Sequence, residues 1–170
     1  MFFYRCACSD KMCCLIQKRP TDGITFETDF RRKYNHRKAG IFFYDPSSSQ
    51  VLVIQSHGRK WGPPKGSVEE DDTCLKACAV REVKEETGII IDTEDLDKEI
   101  SLDKTTYFIV PRKIEYDISH LESDVTGIAW IHVQCLVKEF KNETMDLNYH
   151  CKRLLEIFFK CDLRRKNDHR

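Results

Sequence analysis

Residues 81–88 read Arg-Glu-Val-Lys-Glu-Glu-Thr-Gly (REVKEETG), and the reading of this octet decides the fold. Gly88 can take the left-handed conformation that closes a helix. The helix that stops there starts near Asp72 or Thr73, either of which can cap it. Three glutamates, Glu82, Glu85 and Glu86, therefore crowd into its last turn, where the helix dipole favours cations. At about 100° per residue they share roughly a 100° arc, with like charges at i, i+3 and i, i+4. Arg81 and Lys84 point away from the middle of that arc. An exposed, charged helix end is one reading. A hard divalent cation such as Mg²⁺ or Mn²⁺ resolves the repulsion better, because it takes carboxylate oxygens and fills its remaining positions with water and phosphate oxygens.

The chain upstream fits the second reading. PPKG (63–66) precedes an acidic stretch, EEDD (69–72), that leads into the helix. Gly66 permits close backbone approach and the prolines stiffen the loop, so a main-chain carbonyl can come beside the carboxylates. Farther out, AGIFFYD (39–45) and QVLVIQS (50–56) read as strands joined through DPSSS, a hairpin. SHGRKWGPPKG (56–66) is too rich in Gly and Pro for regular structure. TTYFIV (105–110) and VTGIAWIHV (125–133) read as strands, and VQCLVKEF begins a short helix. A longer helix spans 145–161, with Leu147, Cys151, Leu154, Phe158 and Cys161 at helical spacing. The first 38 residues yield no clear elements. Strands, a helix, more strands and then helices make an α/β or α+β domain.

Composition narrows the class. The 170 residues suit one domain with a real core. Apolar residues are 41% and charged residues 33%, as in ordinary soluble proteins. The formal net charge is zero, so affinity for polyanions must come from local patches. No apolar run reaches the roughly 18 residues of a membrane span, and MFFYRCACSD lacks a signal peptide's apolar core. The nine cysteines are odd in number and scattered, unlike a secreted disulfide framework. A reducing, cytoplasmic location with most thiols reduced is expected. Cys6, Cys8, Cys13 and Cys14 could hold zinc, which takes four thiolates. Their spacing is not that of a familiar finger, and reduced thiols in a half-buried segment are the simpler expectation.

The stretch GSVEEDDTCLKACAVREVKEETGI (66–89) resembles the Nudix box, the glycine-loop-helix signature of hydrolases that cleave a nucleoside diphosphate linked to another group. Residues 81–89 fit the family's Arg-Glu-apolar-x-Glu-Glu-x-Gly-apolar segment at every specified position. There are two departures. Asp72 stands where the family has glutamate, and one extra residue separates it from Arg81. The resemblance implies a Nudix fold, a mixed β-sheet sandwiched between helices with a catalytic loop-helix-loop. The domain would span 39–140, after a Cys-rich, basic N-terminal segment (1–38). A C-terminal basic helix and tail (141–170) would pack on the same domain. Carried over by position, Glu82, Glu85 and Glu86 would hold Mg²⁺ or Mn²⁺ with the Lys65 carbonyl oxygen. Arg81 would orient a glutamate through a charge-assisted hydrogen bond. One of the carboxylates would accept a proton.

Finer details resemble the mRNA-decapping branch. KWGPPKG (60–66) is similar to its Trp-Gly-x-Pro-Lys-Gly segment, and HRKAGIFFYD to its first strand. SDVTGIAWIHV (123–133) resembles the strand before which that branch places one more metal-binding glutamate. Asp124 takes that position, with Glu122 as the substitute if the loop shifts register. Capped RNA as substrate needs a basic track. Arg59, Lys60, Lys65, Lys152 and Arg153 are its leading candidates, with Arg31, Arg32, Lys33, Arg37, Lys38, Lys160 and the tail LRRKNDHR as further ones. Tyr107, Tyr116 and Trp130 could stack on a base, although strand aromatics are more often core. Cellular decapping enzymes carry a helical regulatory domain that 38 residues cannot contain. Compact forms without it occur in large DNA viruses, which would place this chain in host cytoplasm. Diphosphoinositol polyphosphates or dinucleoside polyphosphates are the alternative substrates, and a catalytically impaired RNA- or protein-binding module is a second alternative.

Overall fold

The structure, a computed structural model, describes residues 2–6, 14–19, 37–56, 59–119 and 124–164. Its strands are β1 (Phe2–Arg5), β2 (Leu15–Lys18), β3 (Lys38–Asp45), β4 (Gln50–Ser56), β5 (Lys60–Gly62), β6 (Lys65–Ser67), β7 (Lys98–Leu102), β8 (Thr105–Val110), β9 (Val125–His132) and β10 (Asp146–Leu147). The helices are α1 (Leu75–Thr87), α2 (Val133–Lys141) and α3 (Tyr149–Phe159), with one 3₁₀ turn at Thr93–Asp95.

Side-chain alternation along β3 and β4 builds two cores. Successive strand residues face opposite sides. Phe42, Val51 and Val53 therefore join one cluster with Leu136 of α2 and Leu154 of α3. Ile41, Phe43, Leu52 and Ile54 join the other, with Cys78, Ala79 and Val83 of α1. The mixed sheet is thus covered by helices on both faces, as the resemblance implies.

The path through the sheet runs β1-β2-β9-β4-β3-β8-β7. β3 and β4 pair antiparallel only near their turn, at Tyr44↔Val51 and Asp45↔Gln50. Beyond it β3 leaves β4 and pairs parallel with β8 from Lys38↔Thr105 to Phe43↔Val110. β4 instead follows β9 antiparallel. The splayed strands leave a gap at one end, and β6 enters it by pairing with β3 through Gly40↔Lys65.

Several expectations are corrected. The Gly- and Pro-rich segment contains two short strands, β5 and β6, because β4 and β3 offer it open edges. The last helix begins after Asn148, not at 145, since Asp146 and Leu147 pair parallel with Lys60 and Trp61. The N-terminal segment supplies β1 and β2, and β2 extends the sheet on β9. α1 starts at Leu75 with Cys74 at its cap, one or two residues after the expected caps. Its end is as expected: Gly88 has φ 71° and its N–H donates to the Lys84 carbonyl.

Candidate active site

Arg81 joins the end of α1 to the loop before it. Its Nη1 donates to Glu82 Oε1 and to Glu85 Oε2, both at 3.0 Å. On the loop side, Nε and Nη2 donate to Asp72 at 3.1 and 2.8 Å, and Nη2 also reaches the Ser67 carbonyl at 3.0 Å. This two-pronged pairing uses the planar guanidinium fork. It holds the Asp72 carboxyl at about 2, well below the usual carboxylate range. Asp72 thus pairs with Arg81 instead of capping the helix. The expectation that Arg81 points away from the glutamates also fails, because its long side chain curls back to two of them.

The three glutamates differ in burial. Glu86 is the deepest, at 4% exposure, and Glu82 follows at 9%. The Glu85 side chain is about a third exposed. Glu82 lies directly against Gly66, where an added Cβ would fall 2.0 Å from its carboxylate. Glu86 Oε2 accepts from the Lys65 amide at 2.8 Å. Burial pushes the Glu86 carboxyl up to about 8, the Lys65 charge and amide pull it down, and the charges of Glu82 and Asp124 add to the rise.

These groups line one cleft of about 490 Å³. Glu82, Glu85, Glu86 and Asp124 form its acidic wall, and Lys38, Lys60 and Lys65 its basic rim. Asp124 comes from the residue before β9, so a second element completes the acidic set. Glu122 lies outside the described residues, as do Arg31, Arg32 and Lys33. Arg59 is exposed next to Lys60 but does not line the cleft. Lys152 and Arg153 also lie off it: the Lys152 ammonium sits 4.6 Å from the Phe140 ring, and Arg153 pairs with Glu156 at 2.6 Å. Tyr107 and Trp130 are core residues.

Sequence reading missed Asn148 and the Tyr107–His150 pair. Asn148 caps α3 by accepting from the Cys151 amide at 2.8 Å, and it also lines the cleft. A capping residue ahead of an apolar-periodic run was the available signal. The Tyr107 hydroxyl bonds His150 Nδ1 at 3.0 Å across 43 residues of sequence, a pairing no local pattern announces. Burial, with added repulsion from Cys151 and Glu86, pushes this hydroxyl well above its ordinary range. Burial, then the Lys65 charge, lowers His150.

Residues 34–144 match the family model of the NUDIX domain. Over 136 residues the chain is 36% identical to 111R, a protein of Invertebrate iridescent virus 3 named as a hydrolase, across 74% of this chain and 76% of that one. It is 28% identical over 137 residues to mRNA decapping complex subunit 2 of Schizosaccharomyces pombe, covering 74% of this chain but only 18% of that one. A solved structure of a bifunctional NMN adenylyltransferase/ADP-ribose pyrophosphatase from Francisella tularensis, complexed with AMP and a manganese ion, superposes with a TM-score of 0.54. Identity there is 19%, over 75% of this chain and 42% of that one, and the likeness carries the fold alone.

Proposed function

The chain belongs to the NUDIX family and is a hydrolase of pyrophosphate bonds, and we propose that its substrate is capped mRNA, cleaved to methylated guanosine diphosphate and 5′-monophosphate RNA. The observation that carries this reading is one cleft with an acidic wall (Glu82, Glu85, Glu86, Asp124) and a lysine rim (Lys38, Lys60, Lys65). The wall suits cations and the rim suits phosphates. Similarity to a decapping subunit supports the choice of RNA.

The residues fit a hard divalent ion. Their donors are carboxylate oxygens, and Gly66 leaves the space that the Glu82 carboxylate fills. Glu86 is raised by burial and by its acidic neighbours, a strain that a cation relieves. Glu82, Glu85, Glu86, Asp124 and the Lys65 carbonyl would hold Mg²⁺ or Mn²⁺, which when bound supplies charge to polarise a phosphoryl oxygen and lowers the pKa of water. The chain does the rest. Arg81 fixes the rotamers of Glu82 and Glu85. Lysines 38, 60 and 65 attract the phosphates as point charges. One carboxylate of the set, with Glu85 and Glu86 the candidates, takes the proton from attacking water.

The test offers purified protein with Mn²⁺ cap-labelled RNA, diphosphoinositol polyphosphates and dinucleoside polyphosphates. Release of methylated guanosine diphosphate from RNA alone supports decapping. Turnover confined to the small molecules rejects RNA and leaves the hydrolase standing. The small-molecule reading draws on one observation: Lys152 and Arg153 do not extend the basic rim. A binding module without catalysis is the weaker alternative, since all three helix glutamates are present and converge.

A further inference from the structure

Three buried cysteines meet on the far side of the sheet from α1. Cys6 directly follows β1, Cys14 directly precedes β2, and Cys135 lies in the first turn of α2. Their sulfurs all lie within 4.8 Å of one another. They are 4%, 1% and 5% exposed, the buried side of a segment whose Phe3 and Leu15 are exposed. Hydrophobic packing explains buried cysteines one at a time. It does not explain three sulfurs brought to one point from three separate elements.

From this convergence we infer a structural zinc site, separate from the catalytic cleft, in which Cys6, Cys14 and Cys135 are thiolate ligands in the reduced protein. Zinc–sulfur bonds of about 2.3 Å in a tetrahedron put sulfurs roughly 3.8 Å apart, so only small shifts are needed. Two further observations favour thiolates. The His132 amide donates to Cys14 Sγ at 3.2 Å, which stabilises negative sulfur. Cys135 lies in the first turn of α2, where the helix dipole favours negative charge. The fourth position falls to a further side chain or water, and the sequence places Cys8 and Cys13 close to Cys6 and Cys14.

Cys135 is in a disulfide here, so the site forms in the reduced protein. A dithiol reductant converts that bond to two thiols by supplying two electrons and two protons, and is itself oxidised to a disulfide. Zinc then displaces thiol protons to solvent. The ion would tie β1 and β2 to the start of α2, the helix that directly follows β9.

The experiment is elemental analysis of the full chain, purified under dithiol reductant from a reducing cytosol, with cobalt substitution of the same protein. About one zinc per chain is expected, with a thiolate-to-cobalt charge-transfer band after exchange. Cys6→Ser, Cys14→Ser and Cys135→Ser should each lose the zinc. Cys161→Ser and Glu82→Gln should keep it, the latter separating this ion from any in the cleft. The cobalt spectrum needs no variant, so a substitution that fails to fold does not block the test. Reduced protein without zinc and without the cobalt band overturns the inference. So does a disulfide that survives the reductant, or zinc that persists in all three serine variants.

Discussion

Glu82 reaches the cleft only because position 66 has no side chain. An alanine methyl there would lie 2.0 Å from the Glu82 carboxylate, so that buried carboxylate must leave its place and its bond to Arg81. Gly66→Ala should therefore cost about 1–3 kcal/mol, as overpacking does, and should lower turnover because Glu82 must turn away. A thermal melt and a hydrolysis assay together check it; full activity in a destabilised variant would show that Glu82 does not need its observed place. Glu85→Gln and Glu86→Gln remove charge with little change of shape. Turnover should fall by about 10²–10⁴-fold in each, whether the lost carboxylate holds the ion or takes the proton, with unchanged circular dichroism. Normal turnover in both would defeat the assignment. Arg81→Lys keeps the charge but loses the fork that spans Asp72, Glu82 and Glu85. A loss of about 10–100-fold in metal affinity or activity is expected, as for other groups that orient ligands.

At the scale of the element, α1 acts as a rod whose two ends are fixed by different means. The start is held by Arg81 gripping Asp72, and the end by Gly88 in the left-handed region with an Asp117 carbonyl 2.3 Å from where a Cβ would be. Gly88→Ala should destabilise by about 1–3 kcal/mol from the positive φ alone, and the Asp117 clash adds to it. A lowered Tm with a reduced response to Mn²⁺ would follow, because the glutamates sit one turn away; an unchanged Tm would contradict the strain. The same contrast shows what a sequence can reveal. Gly88, the glutamate arc and the alternation of β3 and β4 are local patterns, and all are legible. Arg81's reach to Asp72 is a side-chain choice made after folding, which local patterns do not carry. β5, β6 and β10 are two or three residues long and exist only because a partner edge accepts them. Their own residues carry no strand signal. Cys135 joining Cys6 and Cys14 is likewise a product of topology, invisible to spacing rules that need ligands close in sequence.

On the scale of the whole molecule, the cleft sets stability against function in a way that pH exposes. In the folded chain the Glu86 carboxyl rises from 4.5 to about 8, chiefly through burial. Between those values the native state holds a proton that the unfolded state has released, so stability falls as pH increases. Asp72 does not interfere, since its shift to about 2 matters only in strong acid. His150 has the opposite sign: lowered from 6.5, it favours unfolding below that value and is silent above it. The interval from pH 7 to 8 therefore separates Glu86 from Asp72 and His150, and the metal-free chain should lose Tm across it. Each kcal/mol appears as about 2–4 °C for a chain of this size. A divalent ion competes with that proton, so Mn²⁺ should raise Tm more at pH 8 than at pH 6. At a hundred times its dissociation constant the gain approaches about 2.7 kcal/mol. Glu86→Gln cannot ionise, so it should flatten the metal-free slope and remove most of the Mn²⁺ gain together. Melts of both proteins with and without Mn²⁺ across pH 6–8 decide the matter. A slope that persists in Glu86→Gln, or a Mn²⁺ gain that does not grow with pH, would separate the buried carboxylate from the metal and leave the acidic wall without its proposed purpose.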